Sequence, residues 1–432
     1  MLLIFVQKST PRKEYICKHI FKRLLYVDFQ FTHDLSTFIA HQGPKLTYAN
    51  KPLGDEFFIF SEGLLDQNGI DYFDIDLFKW RGLPAFFKSK VPCEVPFDLF
   101  SAAFYLITRY EEYLPQVKDA LGRYSPLESL AFKNEFLHLP LIDLWVGELD
   151  QLLSQRFGNA WKDLKTKPAS SSKIHLLFEV KSAFKFRFRG SIENLRMILR
   201  YTQQLKVKEL FRWVATQLRW FKDPYDVYDH LIKWVVVHKK SVNASFFFHL
   251  GDYSAINNGI SHRYRKYQEF IKHIGDYVGI GLRFTIGDQI DSQELEKKRF
   301  ERITNRPLEK TMVGYSKIAM PAHYKSLIEY KEVEDYSMGY PSQPGYRAST
   351  AHPFYFYDLD YEVQTPLKVV PYALHYGSIS GFMLTSQQEL VKTYKNQSQE
   401  VAASFIMMFS IEQLDRTQKG HSFRILKELI HG

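Results

Sequence analysis

Cysteine is almost absent, with Cys17 and Cys93 the only two in 432 residues. They lie far apart and match no zinc or redox spacing, which excludes a disulfide scaffold and a cysteine-ligated metal and suits a reducing compartment. Long apolar runs are missing too: no stretch approaches the roughly 18 apolar residues of a membrane-spanning helix. The opening run Met1-Leu-Leu-Ile-Phe-Val is stopped by Gln7 and Lys8, with no basic stretch before it and no small-residue cleavage site after it. It reads as a first strand and not as a signal peptide. These absences predict a cytoplasmic protein with no transmembrane segment. Also absent are a Gly-x-Ser-x-Gly elbow, a Gly-x-Gly-x-x-Gly or Walker A loop, and any zinc-finger or RNP-type run. Elbow-type hydrolysis, nucleotide chemistry and nucleic-acid partners therefore lack their usual supports.

What is present is a folding chain, 45% hydrophobic and 24% charged, outside the range of disordered sequences. Its length calls for two domains. Aromatics reach 16%, with 36 Phe and 27 Tyr. Such rings fill large cores; a sugar-stacking platform is the sharper reading and needs a cleft. The net charge is +9, from 57 Lys and Arg against 48 acids. That spread describes a moderately basic surface, although nucleic acid, anionic lipid and acidic polysaccharide are partners a positive field can attract.

Short strand-like runs at residues 2–6, 29–32, 45–49 and 56–60 are separated by Gly and Pro. A helix is expected over 11–25, opened by Pro11, and another over 97–113 with Phe100, Phe104, Ile107 and Tyr110 at helical spacing. The polar stretch 165–173, Lys-Thr-Lys-Pro-Ala-Ser-Ser-Ser-Lys, is the best linker. It divides an N-terminal α/β domain, 1–165, from a second domain, 173–432. In the second, apolar runs at 174–180, 244–250, 279–286, 311–315, 367–375 and 403–410 suit buried parallel strands. Helical stretches at 192–221, 224–237, 262–277, 292–303, 321–330 and 386–395 lie between them. That alternation predicts a parallel sheet or barrel with its chemistry at the C-terminal strand ends.

The segment from Glu334 to Asp358, Glu-Asp-Tyr-Ser-Met-Gly-Tyr through Pro-Gly-Tyr-Arg-Ala to Pro-Phe-Tyr-Phe-Tyr-Asp, resembles the late-barrel signature of a bacterial two-domain branch of the polysaccharide deacetylases. Lys8-Ser-Thr-Pro-Arg-Lys-Glu-Tyr-Ile16, Leu106-Ile-Thr-Arg-Tyr-Glu-Glu-Tyr-Leu114 and Glu128-Ser-Leu-Ala-Phe-Lys-Asn134 resemble the companion domain of that branch. The resemblance covers nearly the whole chain and implies a distorted (β/α) barrel behind the α/β domain. It also implies a divalent metal, held by Asp and His at strand ends, that hydrolyses acetyl groups on sugars.

The positions meant for that chemistry carry other residues. Where the family has its Asp pair, this chain reads Leu177-Phe-Glu-Val-Lys-Ser-Ala183. Glu179 stands at the base position and Lys181 where a metal-binding Asp belongs; an ammonium repels a cation. Glu179 and Lys181, at i and i+2, are expected to share a face and pair. Gly281 and Thr285 replace the His ligands, with Arg283 adding positive charge. Met312, within a slip of one residue, takes the place of an orienting Arg, and Ser410 that of the terminal acid His. His352 and His375 are the best remaining histidine pair, yet no two histidines share ligand spacing.

Parts of the frame persist in Asp335, Tyr336, Gly345, Arg347 and Asp358, and in His249-Leu-Gly-Asp-Tyr253. Their architectural reading is as turn and cap residues. Their functional reading is a metal-free cationic pocket of Lys181, Arg283 and Arg347, with Asp335 and His352 beside it, for an acidic or phosphorylated sugar. The alternating Lys185-Phe-Arg-Phe-Arg-Gly190 reads as a loop with rings inward and cations outward. The function expected is a non-catalytic deacetylase-like protein in cell-surface polysaccharide or glycolipid metabolism, binding a carbohydrate or a protein partner, without a metal cofactor. The alternative is a hydrolase of acetylated sugars, relocated or metal-free, with Glu179 as base.

Overall fold

Two sheets built on parallel strands organise the chain, in a computed structural model that describes every residue except 167–171, 253–258, 286–289, 331–332, 418–420 and 432. Most of the expected linker, Tyr253, and Ile286 of the expected third strand stretch lie outside the described residues.

The first sheet contains β1 (Leu2–Val6), β2 (Phe29–Thr32), β3 (Lys45–Ala49) and β4 (Phe57–Phe60), all parallel in the order β2-β1-β3-β4. Between β1 and β2 the helix Pro11–Cys17 begins where Thr10 accepts the Lys13 amide and Pro11 needs no partner. It continues into a π-helical turn, Lys18–Leu24. A small antiparallel hairpin follows, β5 (Phe78–Trp80) and β6 (Leu83–Ala85). The helix Leu99–Ile107, capped by Asp98, is buried along its whole length. The helix Leu141–Phe157, which the sequence reading did not mark, packs beside it.

The second sheet takes β7 (Ile174–Val180), β8 (Val242–His249), β9 (Gly279–Phe284), β10 (Lys310–Val313) and β11 (Glu334–Asp335) in parallel succession. Next come the antiparallel pair β12 (Phe354–Asp358) and β13 (Val363–Val369), then β14 (Leu374–His375) and β15 (Phe405–Ser410). β15 lies parallel to β7, and β13 parallel to β11. The segment between β13 and β14 runs from β11 to β15. Val370 and Tyr372 donate their amides to Asp335 O (2.8 Å) and Met338 O (3.0 Å), while Ala373 donates to Ile406 O of β15 (3.2 Å). The result is a distorted barrel with β12 laid outside it.

The barrel is a packed core, as expected for a small ring of parallel strands. Leu177, Phe247, Met312, Tyr336, Val370, Tyr372, Ile406 and Met408 form one buried cluster drawn from its strands and their extensions. β9 supplies no residue to that cluster. At Gly281 a Cβ would lie 2.7 Å from the Phe247 ring and 2.6 Å from Lys310 O, so Phe247 occupies the volume a side chain would take.

A single larger core runs through both halves. The β12–β13 pair packs on the first helix: Tyr15 Oη donates to Tyr355 O (2.8 Å), and Arg12 pairs with Glu362. Three expected elements differ in form. The long helix over 192–221 is two, Ser191–Gln203 and Val207–Gln217, broken where Leu205 turns left-handed (φ 52°). The strand over 367–375 is divided as the chain crosses from β11 to β15, with Pro371 at the crossing. The helix over 97–113 ends at Ile107, and Arg109 (φ 55°) leads into a short 3₁₀ turn. Among the described residues no helix is long and apolar enough to cross a membrane.

Candidate functional site

Parallel strands deliver their C-terminal side chains to one mouth of a barrel. Here Glu179 is the penultimate residue of β7 and Arg283 that of β9; His249, His375 and Ser410 end β8, β14 and β15. Strand register sets Ser410 opposite Glu179 and His249 opposite Arg283.

Glu179 is 5% exposed, and both oxygens of its carboxylate accept hydrogen bonds. Arg283 Nε donates to Oε1 at 2.6 Å, the Tyr315 amide donates to the same oxygen at 3.2 Å, and Ser410 Oγ donates to Oε2 at 3.2 Å. Ser410 Oγ lies 3.5 Å from His375 Nε2, while His375 Nδ1 accepts the Gly377 amide at 2.9 Å. An accepting Nδ1 places the proton of the neutral ring on Nε2. The chain of donors therefore runs from His375 through Ser410 to Glu179.

Tyr315 ties the cations in. It follows β10 in a left-handed conformation (φ 56°), as does Ser316 (φ 50°). Its Oη accepts from Lys181 Nζ at 2.8 Å, and the Arg283 guanidinium lies 5.2 Å from its ring centroid. Gly314 makes the approach possible, since a Cβ there would lie 2.4 Å from Arg283 Nη2. Ser316 Oγ meets Tyr372 Oη at 2.8 Å and joins the mouth to the barrel interior.

Burial sets the charge states. It pushes Glu179 up, but the Arg283 charge, then His375 and the hydrogen bonds, outweigh it and leave the carboxyl below its ordinary range. Burial lowers His375 against the pull of Glu179. His249 is pushed down to about 3 by burial and then by Arg283. Glu296, which accepts the Thr285 amide at 3.1 Å, is pushed up to about 7 by burial. Arg283 Nη1 and Nη2 and both His249 ring nitrogens are buried without a hydrogen-bond partner among the described residues, an arrangement that calls for an explanation.

Glu179, Lys181 and Arg283 are thus brought together, but not in the expected way. Glu179 pairs with Arg283, and Lys181 turns to Tyr315. Side-chain alternation holds only within a strand, and Lys181 lies beyond the end of β7 at Val180. Arg347 stands outside this set. Its Nε and Nη2 grip Glu112 at 2.9 and 2.6 Å, with Arg109 on the same carboxylate at 2.8 Å.

Asp335 accepts from the Ser337 amide (2.9 Å), Ser337 Oγ (2.8 Å) and Thr311 Oγ1 (3.3 Å). His352 lies against Asp143, which takes the Thr350 hydroxyl and the Ala351 amide at 2.7 Å each; it does not join His375. Asp252 is held by Arg299 through two bonds of 3.0 and 2.8 Å. Asp358 caps the turn at Asp360 (2.9 Å). Met312 lies in the barrel interior. The sequence reading did not single out Tyr315 or Glu296. Tyr315's place at the end of an expected strand was a usable signal; its left-handed backbone was not.

Residues 2–158 match the model of a family of unknown function (DUF7033). No curated protein matches the chain. Among solved structures, the chain is similar to a Mycobacterium smegmatis protein titled a polysaccharide deacetylase, at 12% identity and a TM-score of 0.39, over 62% of this chain and 85% of that one. The polysaccharide deacetylase Bc1974 from Bacillus cereus gives 7% identity and 0.30, over 61% and 87%. The PuuE allantoinase gives 9% and 0.35, over 62% and 87%. Likenesses this distant carry no argument about chemistry or substrate.

Proposed function

We propose that this chain is a polysaccharide deacetylase-like protein without deacetylase chemistry, serving cell-surface polysaccharide or glycolipid metabolism as a carbohydrate-binding or partner subunit. The process comes from the sequence resemblance; the loss of chemistry rests on how Glu179 is held. A general base needs a free lone pair and a pKa near the working pH. Oε1 of Glu179 accepts from a guanidinium and the Tyr315 amide, Oε2 accepts from Ser410 and keeps one acceptor site, but the pKa is lowered.

The donors also suit a divalent metal poorly. A cation at Glu179 would face Arg283 and Lys181, and His375 has already given Nδ1 to the Gly377 amide. What lies under this mouth instead is the planar fork of Arg283, fully buried, with both terminal nitrogens unpartnered among the described residues; a carboxylate or phosphate has the matching geometry but must displace the packing over the fork to reach it. The reading is tested by calorimetry with galacturonate and galactose. Tighter binding of the acidic sugar is expected, weakened by salt and abolished in the double variant Glu179→Gln/Arg283→Met, with Lys297→Ala as an unaffected control. Equal affinity for both sugars would remove the anion preference, and binding of neither would remove the sugar-binding role.

A second reading has one observation behind it, the hydrogen-bonded line Glu179–Ser410–His375, which resembles a metal-free hydrolase on ester or C–N bonds of acetylated sugars. Its polarity opposes that use. His375 donates toward Ser410 and cannot at the same time deprotonate it. Turnover of acetylated oligosaccharides that disappears in Glu179→Gln would establish the hydrolase and refute the first reading.

A further inference from the structure

Residues 185–222, between β7 and the next helix of the barrel, carry ten Lys or Arg and only two acids, Glu193 and Glu209. Their net charge is eight of the chain's nine. The same segment folds as the paired helices Ser191–Gln203 and Val207–Gln217, and no residue of the first is buried.

Both helices are amphipathic, with the apolar side turned to solvent. Ile192, Leu195 and Leu199 follow helical spacing on the first, at 68%, 59% and 52% exposure. Val207, Phe211 and Leu218 do so on the second, at 71%, 57% and 53%. Leu205 at the turn is 84% exposed and Trp220 beyond the second helix 69%. Single exposed apolar residues need no explanation, but a continuous face of them marks a docking surface. Arg196 and Arg200 follow one stripe at its edge, and Lys208 and Arg219 the other. None of these four makes an ion pair among the described residues.

We propose that this helical pair seats the protein on an anionic lipid bilayer, with the Leu, Phe and Trp side chains entering the headgroup boundary and the flanking cations meeting lipid phosphates. An apolar stripe edged by Lys and Arg, with Trp at one end, is the chemistry of an interfacial helix. A nucleic acid would use the cations but leave the aliphatic stripe in water; a neutral protein partner would use the stripe but not the cations beside it, of which Arg196, Arg200, Lys208 and Arg219 have no ion pair among the described residues. The pair emerges beyond the C-terminal end of β7, the same end as the mouth. The inference stands apart from the sugar-binding reading, because it uses none of the mouth residues.

Sedimentation of the full chain with vesicles is the test, using phosphatidylcholine alone or mixed with phosphatidylglycerol. Binding is expected only to the anionic vesicles and should fall with added salt. Arg196→Glu/Arg200→Glu should weaken it about tenfold or more, and Leu199→Ser/Phe211→Ser/Trp220→Ser should abolish it. All these side chains are exposed, so thermal melting should be unchanged and sugar calorimetry unaffected. Absence of vesicle binding would overturn the proposal. So would equal binding to neutral vesicles, or unchanged binding by the apolar triple variant. Concentration-dependent self-association lost in that variant, without vesicle binding, would instead make the face a protein interface.

Discussion

Arg347 and Glu112 are 235 positions apart in sequence and meet as a bidentate pair, both side chains almost fully buried. Arg347 belongs to the Pro-Gly-Tyr-Arg stretch and Glu112 to the Thr-Arg-Tyr-Glu-Glu stretch, two of the segments that carry the family resemblance. A third, around Arg12, reaches Glu362 in the same way. These stretches are where the α/β half and the barrel lock together. Burial costs each charge its hydration, and only the partner offsets that cost.

Arg347→Ala should therefore act on stability and not on a ligand. It leaves Glu112 with Arg109 alone in a dry site, and a loss of about 3–5 kcal/mol in denaturant unfolding is expected. The double variant Arg347→Met/Glu112→Met removes both charges but leaves buried Arg109 with Glu111 alone, so it should recover only part of that loss. If Arg347→Ala unfolds like the parent protein but loses acidic-sugar preference, the residue serves the pocket after all.

The contrast between Arg347 and Glu179 shows what the sequence made legible. Runs such as 174–180 and 45–49 coincide with β7 and β3 because a buried parallel strand needs only a short apolar stretch. Strand-end positions were equally readable, which is why Glu179, Lys181, Arg283 and Ser410 meet near one mouth. Partner choice was not. Whether Glu179 takes Lys181 or Arg283 depends on where β7 stops, and whether Arg347 faces the mouth depends on a residue more than two hundred positions away. β11, with two residues, and β12, on the outside of the barrel, are too short or too irregular in pattern to read as strands.

Gly281 offers a check on the barrel interior. Its place matches a family ligand position in the sequence, but its missing Cβ points at Phe247 and Lys310 O. Gly281→Ala should cost about 1–3 kcal/mol through overpacking. Gly281→His should fold worse still and gain no zinc affinity. Stoichiometric zinc bound by a folded Gly281→His protein, measured by elemental analysis, would show that the position faces the mouth.

Glu296 gives a pH dependence with a definite sign. Burial raises its pKa to about 7 against the opposing pull of Thr285, Arg299 and Arg283, and neutral His249 lies nearby. The folded state therefore holds a proton that the unfolded chain releases near pH 4.5. Stability from this group is complete below that value and declines as pH rises toward about 7. Glu296→Gln should remove roughly 1–3 kcal/mol of that decline, read from unfolding curves at pH 5 and pH 8. Parallel curves for parent and variant would contradict the assignment.

Glu179 should show the opposite sign. Its folded pKa is lowered, so its pairing with Arg283 stabilises the protein above the ordinary carboxylate range and is lost as pH falls through the lowered value. Near neutral pH, Glu179→Gln leaves Arg283 buried with its charge unanswered. A cost of about 3–5 kcal/mol is expected, narrowing in acid where the parent carboxylate also becomes neutral. Ser410→Ala removes one neutral donor to Oε2 and should cost only about 1 kcal/mol. The ratio separates the two roles open to this cluster. A structural ion pair makes Glu179→Gln far the more damaging to unfolding, with no acetyl hydrolysis in parent or variant. A catalytic relay would make both substitutions mild in unfolding and severe in turnover, and that result would return the barrel to the enzymes.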